Sequence, residues 1–414
     1  MPNISEIITS ITKSVVFHNY SHLTIAQIAA TIVSFCIYPY VIRSIGADAY
    51  GLYVFALSVV NYLVIVVSFG LDYPAVKAVA QNINDKVEVN KIVSNVYITK
   101  FILTSVATLI YIIIIISVPL LRQNIALMIW VFFVIIAESL TPNFYFQGIQ
   151  QMHYISYSAV GCRIVSIFFI YGMINSSDDI VTYAAISSIF TLLSSIIPLA
   201  IMFVKQGVRL TKVDQNETLQ LVKNASPFFL TNVISSLKTE TATILIGVFL
   251  GMRDVALYDL ANKIVAIPRI FTQNINKALF PNVVSSKKRD IKKIMKYEYG
   301  IGITMAVIVC LLSYPAVMFF GGAEMQEATF LVLILSISII TFLIVGSYIA
   351  FIFVPANQYT LVAKNQTLAL VSFLLIALPS VMLFPNIYII CAAMATSGIV
   401  EIAYCHYISS KNRL

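Results

Sequence analysis

The sequence predicts an all-α integral membrane protein of about twelve transmembrane helices, arranged as two parallel-repeat six-helix lobes around a central cavity. Three observations predict it. Hydrophobic residues make up 59% of the 414-residue chain and charged residues only 11%, with a mean hydropathy of +0.91, far from a soluble domain. About twelve mostly apolar runs reach the ~20 residues that a helix needs to cross a bilayer. The basic residues alternate between successive loops: with a cytoplasmic N-terminus, nineteen of the 26 Lys and Arg fall on the inner side, as the positive-inside rule requires. Lipid offers the backbone no hydrogen-bond partners, so runs this long and continuous are helices.

Taken in order, the first run, 20–42, carries Gln27, Thr31, Ser34 and Tyr38 on one face, and Ile4, Ile7, Ile8, Ile11 and Val15 before it suggest a short amphipathic helix at the interface. The run 53–71 is apolar apart from Asn61. Runs 97–120, 125–142, 155–174 and 181–204 complete the first half, which ends in the basic segment of Lys205, Arg209, Lys212 and Lys223. Runs 227–250 and 256–282 are the most polar. The most basic loop, from Lys277 to Lys296, precedes 298–320, and 328–354, 366–384 and 387–408 close the chain. This reading divides the chain into an N-terminal lobe, 1–210, and a C-terminal lobe, 211–414, with both termini cytoplasmic. Lys77, Lys86, Lys91 and Lys100 count here as one inner loop.

The same pattern excludes several functions. A charge of +8 is mostly topological, so nucleic acid is not an expected partner, while membrane lipids are. Five cysteines stand singly inside runs and read as small buried apolar residues; His18 and His22 lack a third ligand, so no metal is expected. No Gly-rich phosphate loop occurs, and no cofactor is expected. The outer loops are all short, which leaves no room for the acidic catalytic loop of a membrane glycosyltransferase or polymerase, so an enzyme is not expected.

An internal repeat supports the two halves. Gly46-Ala-Asp-Ala-Tyr-Gly-Leu-Tyr53 is echoed by Gly251-Met-Arg-Asp-Val-Ala-Leu-Tyr258, and Phe144-Tyr-Phe146 by Phe351-Ile-Phe353. Both pairs lie about half a chain apart, and with six spans per half the repeats run parallel.

Polar residues inside the runs mark candidate sites. In 256–282, Asp259, Asn262, Lys263, Arg269, Gln273 and Asn276 fall within an arc of about 140° on one helical face, opposite Leu260, Ile264, Ile267 and Phe271. Such a stripe faces a watery cavity or protein partners. Alternatively, Asp259 and Lys263, at i and i+4, simply neutralise one another. In 227–250, Lys238 and Glu240 flank a face of Asn232, Ser235, Ser236, Thr239 and Thr243 on opposite sides, so each either lines a pathway or pairs with a neighbouring helix. Buried carboxylates at Asp259, Glu240 and Asp72 are candidate carriers of H⁺ or Na⁺.

The run Arg43-Ser-Ile-Gly46-Ala-Asp-Ala-Tyr50-Gly51-Leu-Tyr53, continuing to Ser68-Phe-Gly70-Leu-Asp72-Tyr, resembles the first two helices of bacterial polysaccharide flippases of the O-antigen type, in the multidrug/oligosaccharidyl-lipid/polysaccharide exporter superfamily. Thr141-Pro142-Asn-Phe-Tyr-Phe-Gln147-Gly148, Pro227-Phe-Phe and Leu257-Tyr258-Asp-Leu-Ala261-Asn-Lys263-Ile are similar to it too. Arg253-Asp254-Val-Ala256 departs, since a second Gly-like turn residue is absent there. The resemblance implies that a lipid-linked oligosaccharide, on undecaprenyl diphosphate, enters a cavity from the cytoplasm and leaves toward the periplasm by alternating access. It implies the bacterial inner membrane, coupling to H⁺ or Na⁺, and association with polysaccharide polymerase and chain-length machinery. On this reading Lys263, Arg269, Asn262, Gln273, Asn276, Lys238, Arg43 and Gln27 are the expected substrate contacts. The alternative is a multidrug or cation exporter of the same superfamily. That activity needs an acid-dominated cavity, whereas Lys238, Lys263 and Arg269 make the second lobe cationic.

Overall fold

The computed structural model describes residues 33, 35–284, 288–356 and 358–411. Gln27 and the expected interfacial helix lie outside the described residues. Among the described residues every regular element is helical, and nine stretches are long and apolar enough to cross a membrane. The principal helices are α1 (Phe35–Ile45), α2 (Ala47–Ser68), α3 (Asp72–Gln81), α4 (Lys86–Ser117), α5 (Pro119–Gln123), α6 (Ile125–Leu140), α7 (Asn143–Gly148), α8 (His153–Met173) and α9 (Ile180–Ala200). There follow α10 (Gln215–Phe249), α11 (Met252–Val284), α12 (Lys288–Phe320), α13 (Ala328–Leu335), α14 (Ile337–Tyr348), α15 (Tyr359–Leu383) and α16 (Ile387–Lys411).

Three expected spans are not among the nine. Only the end of the first, α1, is described. Helices α10 and α11 are long enough at 35 and 33 residues but too polar to pass as lipid-soluble segments. They are the two helices whose polar residues marked them as candidate sites. Counted with α1 they bring the nine to the expected twelve.

Helix starts differ from the ends of the apolar runs for a physical reason. Asp85 caps α4 by accepting from the backbone N–H of Val87 and Glu88 at 3.0 and 3.1 Å, so the helix begins within a polar segment about three turns before the apolar run. Lys100, expected in a loop, is thereby inside α4 and only 1% exposed. Its Nζ donates to the carbonyls of Glu138 and Thr141 at 3.3 and 3.2 Å. These lie at the C-terminal end of α6, where the helix dipole favours a cation. Of the five cysteines, Cys162, Cys391 and Cys405 are buried as expected, whereas Cys36 is exposed.

The chain gathers into two compact units: Met1–Tyr40 with Val59–Asn232, and Val41–Ser58 with Val233–Leu414. In the first, α3 packs on α7 because Gly148 lets the helices close: a Cβ there would lie 2.8 Å from the Cβ of Val79. Beside them, Val89, Val93, Phe144, Phe146 and Met202 form a dry cluster. The segment that leads to α10 is fastened onto α4, with the N–H of Arg209 donating to Asn90 at 2.9 Å, that of Thr211 to Ser94 at 2.8 Å, and Asn95 donating to Glu217 at 2.9 Å.

The second unit is held by small residues, which let helices approach where no hydrophobic driving force separates lipid from side chain. A Cβ on Gly247 of α10 would meet the Phe55 ring at 2.3 Å, and one on Gly398 of α16 would meet Thr341 of α14 at 2.8 Å. Its own dry cluster contains Met295, Ile344, Tyr348, Phe351, Phe353 and Cys405. The two aromatic pairs matched in sequence therefore do the same work: Phe144 and Phe146 follow α6, Phe351 and Phe353 follow α14, and all four are at most 2% exposed.

Candidate functional site

The second unit assembles its charged site where the two copies of the repeated turn meet. Gly46 and Gly251 both take left-handed conformations, with φ of 87° and 122°, which glycine adopts without penalty. Each turn then opens a helix, α2 and α11. Gly51, in the first turn-and-a-half of α2, lies against the start of α11 so closely that a Cβ would be 1.7 Å from the carbonyl oxygen of Met252. That contact brings Tyr50 onto the polar face of α11.

There Tyr50 Oη donates to Asp259 Oδ2 at 3.0 Å, Lys263 Nζ donates to the same phenol oxygen and pairs with Asp259, and the ammonium stands 5.1 Å from the Tyr50 ring centroid. Asp259 and Lys263 do neutralise one another, yet their side chains remain 20% and 33% exposed, while Leu260, Ala261, Ile264 and Val265 bury the opposite face. Tyr50 is the partner that reading helix faces one at a time did not find. Its signal was its place in the repeated turn, where the second copy has Val255.

The other cations of this unit are also held. Arg269 donates through Nη2 to Ser338 of α14, and its Nε is buried without a partner. Lys238 of α10 pairs with Glu401 of α16 at 2.6 Å, with side chains only 19% and 10% exposed. Glu401 has no partner near in sequence; Lys238, 163 residues away, supplies one. Arg43 donates to the carbonyl of Phe319 at 3.0 Å and lines a cavity of about 240 Å³ with Ala47, Gly322 and Glu324. Asn262 and Glu240 are half-buried on α11 and α10. Gln273 and Asn276 belong to α11, and their side chains lie outside the described residues.

Asp72 belongs to the first unit. It opens α3 and, half-buried, lines a separate cavity of about 400 Å³ with Ser68, Tyr73, Gln147 and Asn232. Among the described residues no group of three or more His, Cys, Asp or Glu is placed to hold a metal ion.

The polysaccharide biosynthesis protein family matches residues 16–287. A provisionally named O-antigen transporter of Escherichia coli K12 is 22% identical over 269 residues, 65% of this chain and 65% of that protein, and one of Shigella dysenteriae matches similarly. The chain thus spans just under two thirds of the length of these relatives. Among solved structures, the lipid II flippase MurJ in an inward closed conformation superposes with a TM-score of 0.77 at 14% identity, over 93% of this chain and 87% of that one. A multidrug resistance MATE transporter of the MOP superfamily, inward-facing, gives 0.69 at 14% identity, over 95% and 98%. With the family match covering well over half of its length, the chain belongs to the polysaccharide biosynthesis protein family, and it shares its helical fold with MurJ and the MATE transporters.

Proposed function

We propose that this protein is a transporter, not an enzyme, and that it flips an undecaprenyl-diphosphate-linked oligosaccharide from the cytoplasmic to the periplasmic leaflet of the bacterial inner membrane by alternating access, driven by an ion gradient. One observation carries the reading: Lys263 is paired on α11 with Asp259 and Tyr50 while the Lys263 and Asp259 side chains stay 33% and 20% exposed. A diphosphate supplies the oxygens that such an ammonium takes in place of a carboxylate, through short charge-assisted hydrogen bonds. Arg269, further along α11, offers a second cation. The Escherichia coli relative named for O-antigen transport and the lipid II flippase fold support the same class of cargo.

The triad also suggests how coupling works. A diphosphate that engages Lys263 displaces Asp259, which then takes H⁺ or Na⁺. An ion that neutralises Asp259 conversely frees Lys263 for substrate, and the two effects are equal by linkage. Glu240 and Asp72 remain alternative carriers.

The test is deletion of the gene in its host followed by mass spectrometry of lipid-linked intermediates. Sugar-bearing lipid should accumulate on the cytoplasmic leaflet and clear when the intact gene is restored. Transport in vesicles indifferent to both ΔpH and Na⁺ would remove the coupling. The MATE-like fold keeps a multidrug or cation exporter as the second reading, and drug resistance on overexpression without any lipid intermediate would favour it.

A further inference from the structure

Three of the sequence stretches that resemble the flippase family converge on one place in the first unit. Ser68, Gly70, Asp72, Tyr73 and Val76 supply one wall, Gln147 at the end of α7 a second, and Asn232 of α10 a third. They enclose the cavity of about 400 Å³, within the ~300–1,000 Å³ range of small-molecule sites.

The walls are built at a cost. Phe69 has φ of 43° and Gly70 φ of 66°, and a left-handed Phe is a backbone strain that proteins keep chiefly at functional sites. Gly70 admits no side chain, since a Cβ would lie 2.8 Å from the Phe229 nitrogen and the Phe228 Cβ. The turn permits two aromatic stacks, Phe69 on Phe229 at 4.3 Å and Tyr73 on Phe228 at 4.7 Å. Lys100, by capping α6, fixes the start of α7 and so the position of Gln147.

The chemistry of the lining selects the ligand. Two amides, the Ser68 hydroxyl, the Tyr73 phenol and a carboxylate together offer donors and acceptors, no Lys or Arg is among the described lining residues, and Tyr73 is 58% exposed at the rim. Asp72 repels a phosphate, and one of its oxygens is buried without a partner, an expense that an incoming donor offsets. A metal ion needs its oxygens ~2.3–2.6 Å from one point, whereas this volume holds whole sugar rings. We infer that this cavity is a saccharide subsite, where Asp72, Gln147 and Asn232 bind sugar hydroxyls beside the Tyr73 ring. The inference rests on the proposed flippase reading and adds where the glycan, as opposed to the diphosphate, is held.

The experiment places photoreactive benzoylphenylalanine at position 73, at 263, or at the exposed Leu109 of α4 as control, in the full chain within membranes that make the glycan. After irradiation, mild acid cleaves the sugar–phosphate bond and mass spectrometry reads what stays on the protein. The subsite predicts that sugar stays attached at 73. It further predicts that Asp72→Asn or Gln147→Ala lowers that adduct about fivefold, the loss of one net hydrogen bond of ~1 kcal/mol, while the adduct at 263 persists. Capture at 263 with none at 73, or an adduct at 73 no stronger than at 109, overturns the subsite alone. An absence of lipid-linked sugar at both 73 and 263 overturns the flippase reading itself.

Discussion

The two units use charge in opposite ways. In the second, each cation of the candidate site is met by a side chain or carbonyl: Lys263 by Asp259 and Tyr50, Lys238 by Glu401, Arg269 by Ser338, Arg43 by Phe319. In the first, the cavity has a carboxylate and amides but no cation among its described lining residues, and the buried Lys100 is spent on a helix end. The proposed cargo, with an anionic end and a neutral, hydroxyl-rich end, would match this division. The repeat does not divide the same way. Its two turn copies both pack in the second unit, with Gly51 against Met252, so the duplicated motif builds a single charged site.

The sharpest way to break the comparison is to unpair a charge in the second unit. Glu401→Ala leaves Lys238 alone in a nearly buried setting, and losing one partner of such a pair costs ~3–5 kcal/mol. The double variant Lys238→Met with Glu401→Leu should recover most of that, measured as thermal stability in detergent. A double variant as unstable as the single would show that the pair does more than satisfy itself. Next in size is Gly51→Ala, whose Cβ meets backbone at 1.7 Å and forces α2 and α11 apart, at about 3 kcal/mol, the upper part of the overpacking range. In the first unit Lys100→Met removes charge-assisted bonds to two carbonyls and should cost about 2 kcal/mol. If it instead raised stability, the cation would not be serving as a helix cap.

Export reads the chemistry more directly. Lys263→Ala and Arg269→Ala should each lower export about tenfold, as expected from a lost charge-assisted hydrogen bond of ~1.5–3 kcal/mol, with membrane insertion unchanged on protease mapping. Normal export in both variants would remove α11 as the substrate site.

Much of this was legible in the sequence, for identifiable reasons. Apolar length and the alternation of basic loops report the solvent, so the spans stood out. The polar faces of α10 and α11 stood out because polar residues are rare at that depth. Tertiary partners were not legible. Nothing near Glu401 in sequence points to Lys238, and Tyr50 reaches Asp259 only because Gly51 admits the backbone of α11. Lys100 was misplaced because a helix that begins in polar sequence at the Asp85 cap has no apolar signature there. Asp72 was legible as a buried carboxylate, but its neighbours Gln147 and Asn232 come from two distant stretches.

The smallest expected effect bears most on mechanism. Asp259→Asn keeps the shape and the hydrogen bond from Tyr50 but removes the charge that competes for Lys263. If the triad is a lock that substrate opens, binding of the lipid-linked sugar should stay within a few-fold of normal or tighten, because the displaced partner is now weaker, while the dependence of transport on ΔpH or Na⁺ disappears. If the pair only steadies α11, Asn should loosen the helix and depress binding and export together, as Lys263→Ala does. Measuring affinity and ion dependence on the same vesicles separates the two. An Asp259→Asn protein that binds normally and still responds to the gradient would move the coupling out of the triad, to Glu240 in the same unit or Asp72 in the other.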